Sequence, residues 1–357
     1  MKRIARRALP VGLVVLTVGF VLLLWRGPWW VDGAHLRSRN LEPADGVVIT
    51  GFRTMVVAMG AAIVAGLGVW YTHQTLSHTR AKDREQAELT REGQVTERYV
   101  EAIKLLASQN MTQRIGGVYS LERIMHDSVK DHMTVVEVLA AFVRQQASAP
   151  TKGDPSYSLE GEDPYLTKED VRAAMIVIGR RPDRWETGRL NLAGVMLQAA
   201  ELNGLNFAKV CFDFAVLAAA DLESTDLSSA ELFKVNLSAA RLHNATLPFA
   251  KLQKAKLERV NLTAADLSYG DFSDANLSGA DLQSATLDGA NFSGAVLNKS
   301  QMSDVSLEDT NLRGADLRHV TDLSITELCR AQLDTRTQLP GWLAADARVQ
   351  ARMAECS

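Results

Sequence analysis

Carboxylates are the most frequent reactive side chains in the second half of the chain. They stand before apolar residues at Asp221, Asp226, Asp266, Asp271, Asp281 and Asp316. Paired carboxylates could divide acid and base roles. These recur at multiples of five residues, however, as a repeating structure would require. His73 and His78 could suggest a metal site, but five residues along a helix turn them to different faces, and no further His or Cys stands nearby. Cys211, Cys329 and Cys356 are odd in number and widely spaced, so they outline neither a disulfide framework nor a metal-type pair. No phosphate-binding Gly-rich loop, zinc-type His-Glu-X-X-His, nucleophile elbow or calcium loop is present. The reading is no enzyme, no cofactor and no metal. With 39 basic and 42 acidic residues, global charge offers no argument for nucleic acid.

From Leu192 to Leu317 every fifth residue is Leu, Phe or Met, which makes 26 units in one register. Two residues earlier stands a small or apolar residue, mostly Ala, and between them Asn or Asp fills half of the units. A period of five fits neither the 3.6 of a helix nor the 2.0 of a flat strand. The chain must therefore turn every five residues and close into a square coil of four units. Twenty-six units make six and a half coils, about 31 Å long at ~4.8 Å per layer.

This Ala-(Asp/Asn)-Leu-X-X unit resembles the pentapeptide-repeat family over residues 189–320. The resemblance implies a mainly β fold, a right-handed quadrilateral β-helix. It also implies two function classes. One is a rigid scaffold that presents flat sides to another protein. The other follows soluble members that resemble duplex DNA in size and charge and bind type II topoisomerases. Mimicry needs sustained acidic columns. Here the array has 16 acidic and 11 basic residues, and Arg241 and Lys251 interrupt the columns of Asp221 and Glu231. The scaffold is the preferred reading.

Residues 8–25 and 54–71 are two uncharged runs of eighteen, each long enough as a helix to cross a bilayer core. A cleaved signal peptide is the rival for the first, with Lys2, Arg3, Arg6 and Arg7 as its basic leader. Trp25, Trp29 and Trp30 follow where cleavage would need small residues, and they suit an interfacial belt. The basic start, together with Arg80, Lys82 and Arg84 after the second run, predicts both termini in the cytoplasm of a multi-pass inner-membrane protein. Ala58, Ala62 and Gly66 form a small-residue stripe that could pack on the first helix or pair two chains as a homodimer.

Beyond the membrane, charge-interleaved residues 73–109 and apolar periodicity over 112–125 and 132–146 predict a helical module. Its sequence around Arg114–Ile124 and Val136–Arg144 resembles a module found between membrane helices and pentapeptide repeats in bacterial proteins, which implies architecture only. Pro and Gly mark a linker over 147–166, and Thr167 with Asp170 has capping-box spacing before an apolar helix. The expected domains are a membrane hairpin at 1–72, a helical module at 73–148, a linker and capping helix at 149–188, the repeat at 189–320, and a C-terminal cap and tail at 321–357. Phe214, Phe233, Phe249 and Tyr269 stand at outward positions of a polar array. They are the candidate contact with an unidentified protein partner, packing against the chain's own helices being the alternative.

Overall fold

The computed structural model describes residues 2–31, 43–148, 167–182 and 189–355, which fall into two compact units, 1–92 and 93–357. Residues 32–42 and most of the 147–166 linker lie outside the described residues.

In the first unit, α1 (Lys2–Val31) runs antiparallel to the first part of α2 (Pro43–Leu106), a helix that continues past residue 92 into the second unit. The Phe20 ring lies against Gly60 and the Phe52 ring against Gly27, where the missing side chain leaves room for it. Arg53 donates to the Leu24 carbonyl at 3.2 Å. Among the described residues one stretch, Gly46–Leu76, is long and apolar enough to cross a membrane; Val15–Trp30 is a shorter apolar stretch. Apolar side chains of Gly46–Leu76, such as Ile63, Val64 and Leu67, are exposed.

In the second unit, α3 (Met111–Asp127), α4 (His132–Gln146) and α5 (Glu169–Gly179) pack on one another. Asn110 caps α3 by accepting from the Gln113 amide. The capping box expected at Thr167 and Asp170 does not form. Helix α5 starts after Lys168, and the Thr167 hydroxyl donates to the Gln198 carbonyl of the first coil. The fully buried Asp170 accepts from Arg114 Nε at 2.6 Å. A buried carboxylate without a partner would cost several kcal/mol, whereas a side-chain cap contributes about 1 kcal/mol, so the ion pair prevails.

The repeat is the β-helix that its period requires. Residue i bridges residue i+20 in parallel, from Asn191 with Cys211 to Gln301 with Thr321, along four faces. Among the described residues no face holds a strand longer than one bridged residue. All 26 central residues are buried. Phe272 and Phe292 stack within one column at 4.6 Å. Where the small inward position is polar, its hydroxyl is satisfied: Thr225, Ser300 and Thr310 donate to the carbonyls of Leu202, Leu297 and Leu287.

Both ends of the coil need partners for their open edges. At the N-terminal end, the carbonyls of Ala147 and Gly179, at the ends of α4 and α5, accept from Met196 and Asn206 at 2.7 and 3.0 Å. At the other end, α6 (Ile325–Leu328) inserts extra residues, so the last bridges run from Asn311 to Gln332 and from Asp316 to Gln338. Two further helices, α7 (Gly341–Ala344) and α8 (Ala347–Glu355), follow. Arg352 of α8 donates to the Ala331 carbonyl.

Candidate functional site

Each corner of the prism is a four-residue turn. After a central residue such as Leu217, the Ala220 amide returns to the Leu217 carbonyl, and Ala219 takes φ 56°. A positive φ at the third position defines a type II turn, which favours Gly. In this array most corners place another residue there, among them Phe214 (φ 60°), Phe249 (φ 59°) and Tyr269 (φ 58°). Left-handed backbone costs an ordinary side chain roughly 1–2 kcal/mol. Bulky rings at three such positions are therefore strained choices that the turn itself does not ask for.

The recurrent Asp and Asn also belong to the corners. They occupy the bridged position, and the side chain accepts from the amide two residues on: Asp226 from Ser228 at 2.9 Å, Asp266 from Ser268 at 3.0 Å, Asn276 from Ser278 at 3.1 Å. An Asx turn of this kind satisfies a corner donor that the square coil leaves unpaired. Burial raises the Asp271 carboxyl, but hydrogen bonds from Gln253, Ser273 and Asn291 outweigh it and hold the group below its usual range. A carboxylate so engaged is a structural acceptor.

The four aromatic residues singled out from the sequence border one face, whose bridged column runs from Asn191 to Gln332. On one edge Phe249 and Tyr269, one coil apart, stack at 5.2 Å with planes 9° from parallel. On the other, Phe214 and Phe233 meet edge to face at 5.5 Å, with the Lys234 ammonium 5.8 and 5.1 Å from their centroids. Phe214, Phe249 and Tyr269 are 55%, 59% and 61% exposed, whereas Phe233 is half-buried under Phe214 and Lys234. Among the described residues no helix of the module covers the exposed rings. The Ala58, Ala62 and Gly66 stripe of α2 is also exposed; the α1 ring instead rests on Gly60.

Two features of this face escaped the sequence reading, because only the coil brings residues twenty apart together. Lys234 completes the cation–π cluster. Cys211, Asp213 and Glu231 gather their ligand atoms within 4.8 Å of one another. The cluster is accounted for without an ion. Glu231 pairs with Arg189 and, at 3.3 Å, with Lys251; Asp213 accepts from the Phe233 amide; and burial pushes the Cys211 thiol up.

A family model described as pentapeptide repeats matches residues 211–248, 240–279 and 275–314. No curated protein is significantly similar to the chain. Among solved structures, a pentapeptide repeat protein from the cyanobacterium Cyanothece 51142 is 31% identical over 30% of this chain, with a TM-score of 0.23. The match spans 63% of that protein's length. HetL, a pentapeptide repeat protein involved in heterocyst differentiation regulation in the cyanobacterium Nostoc, is 26% identical, over 43% of this chain and 88% of its own, with a TM-score of 0.22. QnrB1, a plasmid-mediated fluoroquinolone resistance protein, is 18% identical over 45% and 89%, with a TM-score of 0.21. Superpositions this partial carry no functional argument. The matched repeats and the four-sided coil they form identify residues 211–314 as pentapeptide repeats.

Proposed function

We propose that this chain is a non-enzymatic scaffold, anchored in the bacterial inner membrane by two spans and presenting its prism to a protein partner at the cytoplasmic face. The observation that carries the reading is the set of exposed rings at left-handed corners of an otherwise polar prism. Aromatic anchors on a rigid surface are what binding hot spots use. The apolar stretches at Val15–Trp30 and Gly46–Leu76 and the basic residues beside them support the anchor. In the same reading the chain divides into hairpin 1–72, helical module 73–148, linker and cap 149–188, prism 189–320 and C-terminal cap 321–357. The first boundary lies within α2, so anchor and module share a helix.

Mimicry of DNA, with a type II topoisomerase as target, is the competing reading. Arg241 lies against Asp221 at 3.6 Å and Glu223 at 3.1 Å, and Lys251 against Glu231, which cancels acidic charge on two of the four faces. Affinity capture from native membranes decides between them. With Phe249→Ser and Tyr269→Ser together, the scaffold reading expects the captured partner to be lost and the fold retained. An unchanged partner list removes the surface from consideration, and a topoisomerase in that list reverses the order of the two readings. The topology is tested by labelling from outside. A cysteine at His35, outside the described residues, should react in a cysteine-free background, and one at Ser357 should not.

A further inference from the structure

Charge on the aromatic-bordered face is not evenly distributed along the prism. The half of the face before Asp271 carries Arg189, Lys209, Lys234, Lys251 and Lys254 against Asp213 and Glu231, and the half from Asp271 on carries Asp271, Asp274, Asp288, Glu308, Asp309 and Asp334 against Arg313 and Arg330. The bridged column from Asn191 to Gln332 has its midpoint between Lys251 and Asp271. A two-fold axis across the face at that midpoint turns each residue onto the one equally far beyond it.

We propose that this face is where a second copy of the chain docks antiparallel, about a two-fold axis between Lys251 and Asp271. The assignment rests on the reading of the prism as a binding surface and names its occupant. Under this axis Lys251 meets Asp271 of the other copy, Lys254 meets Asp274, Lys209 meets Asp309, and Arg313 meets Asp213. By symmetry each pair forms twice. Phe249 meets Tyr269 of the other copy, so two stacked pairs of rings come together at the axis. Phe214 arrives opposite Gly314, which has no side chain to displace. The remaining charges, Glu231, Lys234, Asp288 and Glu308, meet Asn291, Gly294, Ser228 and Ala208. At the ends of the column Arg189 arrives opposite Arg330, the one like-charge meeting among the described residues, and each already has a carboxylate of its own chain, Glu231 and Glu327.

Within one chain several of these groups are unpaired. Lys209, Lys254, Asp274 and Asp309 are exposed and make no ion pair among the described residues. Arg313 Nε is buried with no hydrogen-bond partner. Complementary potentials of this kind set register and orientation more than raw affinity. The pairing also places the capping helices α3–α5 of one copy beside the C-terminal end of the other.

The test uses the full chain in detergent, with Cys211, Cys329 and Cys356 replaced by Ser. One tagged chain carries Lys209→Cys and a differently tagged chain carries Asp309→Cys. These positions lie five coils apart, about 24 Å at ~4.8 Å per coil, so a disulfide between them must join two molecules. Mild oxidation should join the two tags and should not join two Lys209→Cys chains. Adding Lys254→Glu to one chain should lower the mixed yield about tenfold, and Asp274→Lys in the other chain, whose residue 274 faces it, should restore it. Joining of 209 to 209, or failure of the swap to rescue, overturns the proposal. If no cross-link forms while Phe249→Ser with Tyr269→Ser still strips a different captured protein, the second copy is wrong and the binding surface stands. If neither occurs, both fall.

Discussion

At every corner from Gly194 to Gly314 one residue takes positive φ, and this array accepts Ala, Ser, Lys, Asp and aromatic side chains there. Replacing a featureless one, Ala219→Gly, removes the left-handed cost of roughly 1–2 kcal/mol and adds back some unfolded-state entropy. We expect a net gain of about 0.5–1 kcal/mol, read from urea unfolding; a loss would mean that the corner is not under strain. The Asp334 carboxyl is held well below its usual range. Burial raises it, but the Arg336 side chain, the Gly314 amide and Thr337 outweigh burial and bring it to about 2. Its ordinary value is 3.8, so the folded state holds the carboxylate more tightly ionised than the unfolded chain does. The associated stability is complete above about pH 4 and is lost as pH falls towards 2. We expect Asp334→Asn to flatten the stability profile across that window. A profile parallel to the unsubstituted chain would show that another carboxylate carries it. Asp334→Ala, which leaves the amides of Gly314, Arg336 and Thr337 without an acceptor, should cost about 2 kcal/mol at neutral pH.

At the scale of the element, the coil is held by its inward column. Leu257 is fully buried among other central residues, so Leu257→Asp should cost more than about 4 kcal/mol, whereas Ser224→Asn at an exposed corner should stay within about 0.5 kcal/mol. Comparable losses in the two would contradict the inward register. That register was legible because period five repeats 26 times without a slip, and α3 and α4 were legible from their apolar spacing. What sequence could not supply was competition between distant partners. Thr167 and Asp170 read as a cap until the fold brings Arg114, 56 residues away in the chain, against Asp170. Phe233 read as exposed until Phe214 and Lys234 close over it. Gly60, and not the Ala58 stripe, takes the α1 ring because the pairing of α1 with α2 is set by side-chain fit, which a pattern of small residues does not encode.

Across the second unit, one apolar core runs from Ala102 through the prism to Val349. A stack of coils touches only its neighbours, so its stability is a sum of nearest-neighbour interfaces, and opening starts at the ends. The N-terminal end depends on α4 and α5, whose carbonyls receive the Met196 and Asn206 amides, and α5 is fastened by Arg114 through Asp170. The same guanidinium donates to the carbonyls of Ser108 and Gln109 just beyond α2, so one side chain ties three segments to the cap. Arg114→Met keeps the length of the side chain and strands the Asp170 carboxylate in the core, at a cost of about 3 kcal/mol. Exchange at Met196 and Asn206 proceeds by opening at that end and should accelerate about a hundredfold, the equivalent of that energy. Exchange at Leu317 and Gln338 proceeds by opening at the opposite end, past α6 to α8, and should hardly change. Hydrogen exchange followed by mass spectrometry reads both sets of amides in one experiment. Equal acceleration at the two ends would show that cap and prism open as a single block and that the solenoid is not divisible coil by coil.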